Sequence, residues 1–294
     1  MIITQLIGGL GNQMFQYAAG RSLANHHNTA LTLDTTRFSR IRSITPRPYC
    51  LSNFRIKETF ASEKDLHCVK EPSSHLKNFY AEIYCALTGN PVISFKKEPH
   101  FQYDPDFFLI PNNVYLEGYW QSEKYFKSVE NAIRSEFTLK EDPDPLNTLM
   151  AKKILESNAV SIHIRRGDYV TSPATFEEHG VCSLEYYHKA IDNIINKIPD
   201  PHFYIFSDDP QWVQQNLQIH YPHSYISHNL GSKDYLDLWL MSLCHHHIIA
   251  NSSFSWWGAW LSTYPEKMVI APKQWFNQSK NDTRDLIPDS WNKI

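Results

Sequence analysis

From about residue 158 onward, short apolar runs alternate with segments of helical period, and this alternation restricts the fold more than any other feature of the chain. Residues 160–164, 202–206, 224–227, 247–250 and 268–270 are short, apolar and rich in β-branched or aromatic types, as strands are. Between them, 185–195, a short stretch from 211, 235–244 and 253–261 have the spacing of amphipathic helices. Strands this apolar must be covered on both faces, so the second half is expected to form a parallel, doubly wound α/β sheet. In such a sheet all carboxyl ends share one edge, and ligands sit there. The polar residues fall at that end: His163, Arg165 and Asp168 after the first strand, Ser207, Asp208 and Asp209 after the second, Asn251, Ser252 and Ser253 after the fourth. Three clusters distant in sequence are thereby expected to converge.

Each cluster admits two chemistries. Arginine presents a planar fork of donors that fits phosphate, so Arg165 and Arg166 at a strand end suit an anion site, although either can equally pair with Asp168 across a tight turn. Asn251, Ser252 and Ser253 open a helix, where such residues serve as N-caps. The amides of the same helix start can also cradle a diphosphate. Asp209, preceding Pro210, is either an N-cap or a carboxylate accepting hydrogen bonds from a base. Asp208 and Asp209 lack a third carboxylate for a metal site. The run His245, His246 and His247 sends its side chains in different directions, which disfavours a shared metal and favours solvated or helix-terminal histidines.

The first half opens with a strand over 2–7, a glycine-rich turn and helix beginning GGLGNQMFQYAAG at 8–20, and a second strand over 31–34 ending in Asp34. This order is that of a dinucleotide fingerprint. It departs from one at Met14, which occupies the place of the third glycine, while Asn12 and Gln13 bring polar side chains to the turn. Residues 38–100 carry a helix near 76–87 and no assignable chemistry. A strand over 114–122 follows, then a helix to about 137. Glu117 within that strand suits a base, a sugar-hydroxyl acceptor or a strand-edge ion pair. The acidic, proline-broken stretch 141–145 marks the expected boundary between domains 1–142 and 143–294.

Composition excludes several classes. With 28 basic and 31 acidic residues the net charge is −3, too slight to attract nucleic acid or an anionic membrane. No window approaches the roughly 18 to 20 apolar residues of a membrane span. The N-terminus lacks a basic, then apolar, leader pattern, which points to the cytoplasm. Five cysteines without CxxC spacing form neither a disulfide framework nor a zinc site. The 14% aromatic content suits sugar stacking as well as a large core.

Over nearly the whole chain the motifs resemble the α-1,2-fucosyltransferases of glycosyltransferase family 11. The carriers are GGLGNQMFQYAAG at 8–20, EGYWQSEKYF at 117–126, HIRRGDY at 163–169, FSDDP at 206–210 and NSSFSWWGAW at 251–260. The resemblance implies a GT-B-like α/β fold, two Rossmann-like domains facing a cleft, with the acceptor on the N-terminal side and GDP-β-L-fucose on the C-terminal side. It implies inverting, metal-independent transfer of fucose to the 2-hydroxyl of a terminal β-galactoside, with no cofactor beyond the donor substrate. Arg165 would hold the diphosphate, His163 and Asp209 would read the guanine, and Ser252, Ser253 and Phe254 would line the nucleotide. Asn12 would reach across the cleft to the reacting centre. It could position the acceptor hydroxyl but not act as a strong base, which leaves the base unidentified. The expected partners are GDP-fucose and a galactoside oligosaccharide, at the inner face of a membrane without a spanning segment. Two other readings stay open: an NAD-dependent oxidoreductase, which explains Gly9, Gly11 and Asp34, and a non-catalytic binder of sugar nucleotides or glycans.

Overall fold

A computed structural model of the protein describes residues 1–40, 48–70, 74–277 and 281–294. Among them, strands form two all-parallel sheets, one in each of two units: 1–138 with 284–286, and 139–283 with 287–294. The chain passes between units just ahead of 141–145, and that acidic stretch starts a helix. The Asp144 side chain accepts from the Asn147 amide at 3.0 Å, and Pro145, at the first position of the helix Pro145–Leu155, gives up no needed donor.

The first sheet comprises β1 (Ile2–Gln5), β2 (Leu31–Asp34), β3 (Ser94–Lys97) and β4 (Val114–Glu117), in the order β2-β1-β4-β3. The helix Leu10–His26 crosses from β1 to β2, and most of its residues are buried. The close approach that a dinucleotide fingerprint assigns to its third glycine occurs further along, at Gly20. A Cβ there would lie 2.0 Å from Thr4 Oγ1 on β1. Met14 is fully buried in the core instead. Asp34, the candidate ribose ligand of the oxidoreductase reading, is buried and engaged. It accepts from the Tyr115 hydroxyl at 2.7 Å and from the Thr36 amide at 2.9 Å.

β4 is shorter than the expected strand. It stops at Glu117, and Trp120 adopts φ 56° while fully buried, which a continuing strand could not accommodate. Two 3₁₀ turns and the helix Glu130–Glu136 follow in place of one long helix. Glu117 pairs with Lys97 at 3.6 Å and Arg37 at 3.9 Å.

The second sheet comprises β5 (Asn158–Ile164), β6 (Pro201–Ser207), β7 (His223–Ile226), β8 (His246–Ile248), β9 (Val269–Ala271) and β10 (Asn292–Lys293). Its order is β10-β9-β8-β5-β6-β7. From β5 the chain steps outward to β6 and β7, then returns to the other side of β5 for β8, β9 and β10. The order therefore reverses between β5 and β8, the topological switch point where an open α/β sheet forms its crevice. Val160, Ile162, Ile164, Phe203 and Ile205 pack with Tyr187, Ile191 and Ile194 of the helix Leu184–Ile195 and with Val213.

Two of the three consecutive histidines differ from expectation. His246 and His247 lie inside β8, 4% and 0% exposed, because this strand sits between β5 and β9 and is covered on both faces. His247 Nδ1 pairs with the Ser161 hydroxyl at 2.8 Å, and His246 Nδ1 accepts from the Met268 amide at 3.0 Å. Burial, reinforced by neighbouring His245, pushes His246 down to about 4. Burial likewise holds His247 well below the ordinary histidine range. Among the described residues no helix is long and apolar enough to cross a membrane.

Candidate active site

The clusters predicted to converge follow three adjacent strands, β8, β5 and β6. At the end of β5, His163 is 5% exposed, and its Nδ1 is buried with no hydrogen-bond partner among the described residues. Burial, and then the positive charge of Arg165, lower His163 to about 3. The ring is therefore neutral across the physiological range, able to donate from one nitrogen and accept at the other. Phe254, from the helix that follows β8, lies with its ring 5.5 Å from that of His163. Two sides of the switch point thus meet through these two residues.

Arg165 lies between two carboxylates, Asp168 on its own turn and Asp208 beyond β6, the latter at 2.8 Å. Burial alone would lower its pKa, but Asp208 and Asp168 outweigh burial and raise it. Arg165 is thus a fixed cation aimed by carboxylates from two strand ends. Arg166 turns elsewhere: its amide donates to Asp208 at 2.8 Å and its Nε to Asp209 at 3.4 Å. Its guanidinium lies 3.5 Å from the centre of the Trp212 ring. Gly167 allows this crowding, since a Cβ there would fall 2.5 Å from Asp208 Oδ2. Of the two readings of the motif, the side chains show the ion pairing: Arg165 with Asp168 and Asp208, and Arg166 with Asp209.

Asp209 caps the helix Pro210–Asn216 by accepting from the Trp212 amide at 3.3 Å, in addition to its pairing with Arg166. Ser252 occupies the N-cap position of the helix Ser253–Leu261, yet its side chain makes no capping hydrogen bond. Capping does not account for this serine. Asn251 is structural, donating to the His179 carbonyl at 2.8 Å and the Trp275 carbonyl at 3.2 Å. The first bond attaches the helix start to the segment after β5, the second to the segment after β9. In the segment after β5, Tyr169 stacks on His179 at 4.8 Å between ring centres, and the Arg165 guanidinium lies 5.2 Å from the Tyr169 ring. The signal for Tyr169 was its place in HIRRGDY; neither His179 nor Trp212 belongs to a motif.

In the first unit, the 8–12 turn follows β1 and the 118–121 turn follows β4, its neighbour in the sheet. Asn12 Oδ1 accepts from Gln121 Nε2 at 2.8 Å, and a Cβ on Gly8, where φ is 77°, would fall 2.7 Å from Asn12 Nδ2. The bond from Gln121 orients the Asn12 amide, and Gly8 leaves the room that its Nδ2 side occupies. Gln13 and Gln16 secure the two turns: Gln13 donates to the Gly8 carbonyl at 2.9 Å, and Gln16 accepts from the Ile7 amide at 2.9 Å and donates to the Gly118 carbonyl at 3.1 Å. Glu98, just past β3, accepts from the Tyr119 amide at 2.6 Å and the Trp120 amide at 3.0 Å. Burial pushes its carboxyl up to about 7, against these two amides, which favour the charged form. Glu98 lies within 38–100, the stretch whose sequence carries no assignable chemistry.

Comparison with known proteins places this geometry in a family. The sequence profile described as glycosyl transferase family 11 matches residues 1–294. An alpha-1,2-colitosyltransferase of Escherichia coli is 34% identical over 303 residues, covering 100% of this chain and 99% of its own length. The O-antigen biosynthesis glycosyltransferase WbnK of the same organism is 33% identical, covering 97% and 98%. The bovine galactoside 2-alpha-L-fucosyltransferase SEC1 is 26% identical, covering 87% of this chain and 62% of its own. Among solved structures, POFUT1 in complex with GDP aligns over 92% of this chain and 97% of its own at 14% identity, with a TM-score of 0.52. The fucosyltransferase NodZ from Bradyrhizobium aligns over 88% and 91% at 14% identity, with a TM-score of 0.50. These likenesses support a GT-B-like α/β fold built on parallel sheets. Matched along its entire length, and carrying its motifs at the strand ends of both sheets, the chain belongs to glycosyltransferase family 11.

Proposed function

We propose that the protein transfers L-fucose from GDP-β-L-fucose to the 2-hydroxyl of a terminal β-galactoside, with inversion, during synthesis of a surface glycan on the cytoplasmic side of a membrane. The observation that carries this reading is Arg165, held between Asp168 and Asp208 at the β5 end of a switch point whose other side is the start of the helix Ser253–Leu261. As the anomeric carbon separates from GDP, negative charge grows on the leaving diphosphate. Arg165, the amides of Ser252 and Ser253, and the dipole of that helix would stabilise it. The neutral His163 ring would hydrogen-bond the guanine, with Phe254 against the nucleotide. Asp209 would add an acceptor while still serving as a helix cap. Asn12 would orient the incoming hydroxyl. This scheme needs no metal and no cofactor besides the donor.

The similarity to an alpha-1,2-colitosyltransferase favours a second donor, GDP-colitose, whose sugar is the 3-deoxy counterpart of fucose. Purified protein offered each sugar nucleotide with a panel of β-galactosides in EDTA, followed by mass spectrometry and linkage analysis, separates the two. A product α-linked to the galactose 2-hydroxyl with GDP-fucose supports the proposal, and turnover only with GDP-colitose transfers it to the second donor. Donor binding without turnover on any acceptor favours a non-catalytic binder. Failure to bind GDP-fucose refutes the fucosyl assignment.

A further inference from the structure

We propose that Glu98 is a positioning residue for the acceptor: it clamps the 118–121 turn so that Gln121 fixes the amide of Asn12. The inference rests on the acceptor-side role of Asn12 proposed above. Its geometry comes from three adjacent strands, β1, β4 and β3, which deliver the 8–12 turn, the 118–121 turn and Glu98 to the same sheet edge.

Each link is a specific contact. The Glu98 carboxylate takes the amides of Tyr119 and Trp120, one on each oxygen. Gly118 leaves room for it, because a Cβ there would stand 2.4 Å from Glu98 Cβ. Trp120, buried with φ 56°, is in a conformation unfavourable for a bulky residue and requires outside support. The two amides held by Glu98 supply it. The next residue, Gln121, donates to Asn12 Oδ1, which directs the Asn12 Nδ2 donors away from Gln121. Holding this amide in one orientation is what a role in positioning the acceptor hydroxyl requires. Without the clamp Trp120 can relax toward negative φ, and Gln121 moves with it.

Glu98→Gln tests the link with little change in shape. The amide has one acceptor oxygen where the carboxylate had two, so one of the two backbone N–H groups is left without an acceptor. At about pH 8, where Glu98 is mostly ionised, and with the galactoside acceptor and the donor that the assay above identifies, acceptor KM should rise about tenfold, the weight of roughly one charge-assisted hydrogen bond. Donor KM and acceptor-independent hydrolysis of the sugar nucleotide should stay at wild-type values. Asn12→Ala should raise acceptor KM similarly, and the double variant should be no worse than the weaker single, since both act through one contact chain. Circular dichroism and a thermal melt verify that Glu98→Gln is folded, and Glu98→Asp serves as the second variant should it fail to fold. Acceptor KM unchanged in Glu98→Gln but raised in Asn12→Ala overturns the clamp alone. Unchanged acceptor kinetics in Asn12→Ala overturn the acceptor role of Asn12 and the clamp with it. Equal effects on donor and acceptor, or additive losses in the double variant, refute the positioning role.

Discussion

Arg165→Lys isolates what the shape of the arginine contributes beyond its charge. Arg165 bridges Asp168 and Asp208, and all three side chains are largely covered, at 20%, 19% and 26% exposure. Replacement by alanine would leave two carboxylates without their cation, a loss that can reach about 3–5 kcal/mol for a buried pair and would confound activity with folding. Lysine keeps the charge, so stability should fall by much less. What it lacks is the planar fork: with two of its three N–H donors taken by the carboxylates, an ammonium keeps only one for a diphosphate and cannot present the paired donors of a guanidinium. Removing one well-aimed donor from a developing anion costs about 2.7–4 kcal/mol of barrier, or roughly 10²–10³ in kcat. The assay is GDP release at saturating donor and acceptor, with a urea denaturation curve for each variant. The expected result is kcat lowered by about two to three orders of magnitude while the unfolding midpoint shifts little. A kcat within about threefold of wild type, less than 1 kcal/mol of barrier, would refute the placement of Arg165 at the leaving group.

Other perturbations report on the scaffold. Gly20→Ala places a methyl 2.0 Å from Thr4 Oγ1, and such overpacking costs about 1–3 kcal/mol or more; a second change, Thr4→Ala, should restore part of it in chemical denaturation, and a single variant as stable as wild type would contradict the packing. His246 has a folded pKa of about 4, below the ordinary value of 6.5, so the unfolded chain takes up its proton first and native stability falls as pH drops below about 6.5. By pH 5 this loss is about 2 kcal/mol, at roughly 1.4 kcal/mol per pK unit. His246→Asn, whose Oδ1 can accept from Met268 in place of Nδ1, should remove that share of the pH dependence between 7 and 5, and curves parallel to wild type would rule it out.

How much of this was legible in the sequence depends on where each group finds its partner. The second sheet was readable because its strands are covered on both faces, so apolar runs and intervening helices appear directly in the residue order, and parallel topology then brings distant strand ends to one edge. His163, Arg165, Asp208 and Ser252 follow from that logic alone, since a polar residue at the carboxyl end of a buried strand has few places to go. Met14 and Gly20 show how far a local motif reaches. Met14 identifies a departure from the fingerprint, but Gly20 acts as the missing glycine only because Thr4 lies beneath it, a contact that spacing does not reveal. The histidine run, whose consecutive side chains point in different directions, suits solvated or helix-terminal residues, and the central position of β8 overrides that preference for His246 and His247 by giving them partners on β5 and beside β9. Glu98 is the limiting case. Its partners are two backbone amides on a turn whose residue Trp120 has positive φ, so no pair of side chains advertises the interaction. Groups that bind backbone leave no complementary residue type elsewhere in the chain. The turns at the strand ends of the first sheet are built largely from such contacts, through Gln13, Gln16 and Glu98, and for that reason the sequence is less explicit there than at the strand ends of the second sheet.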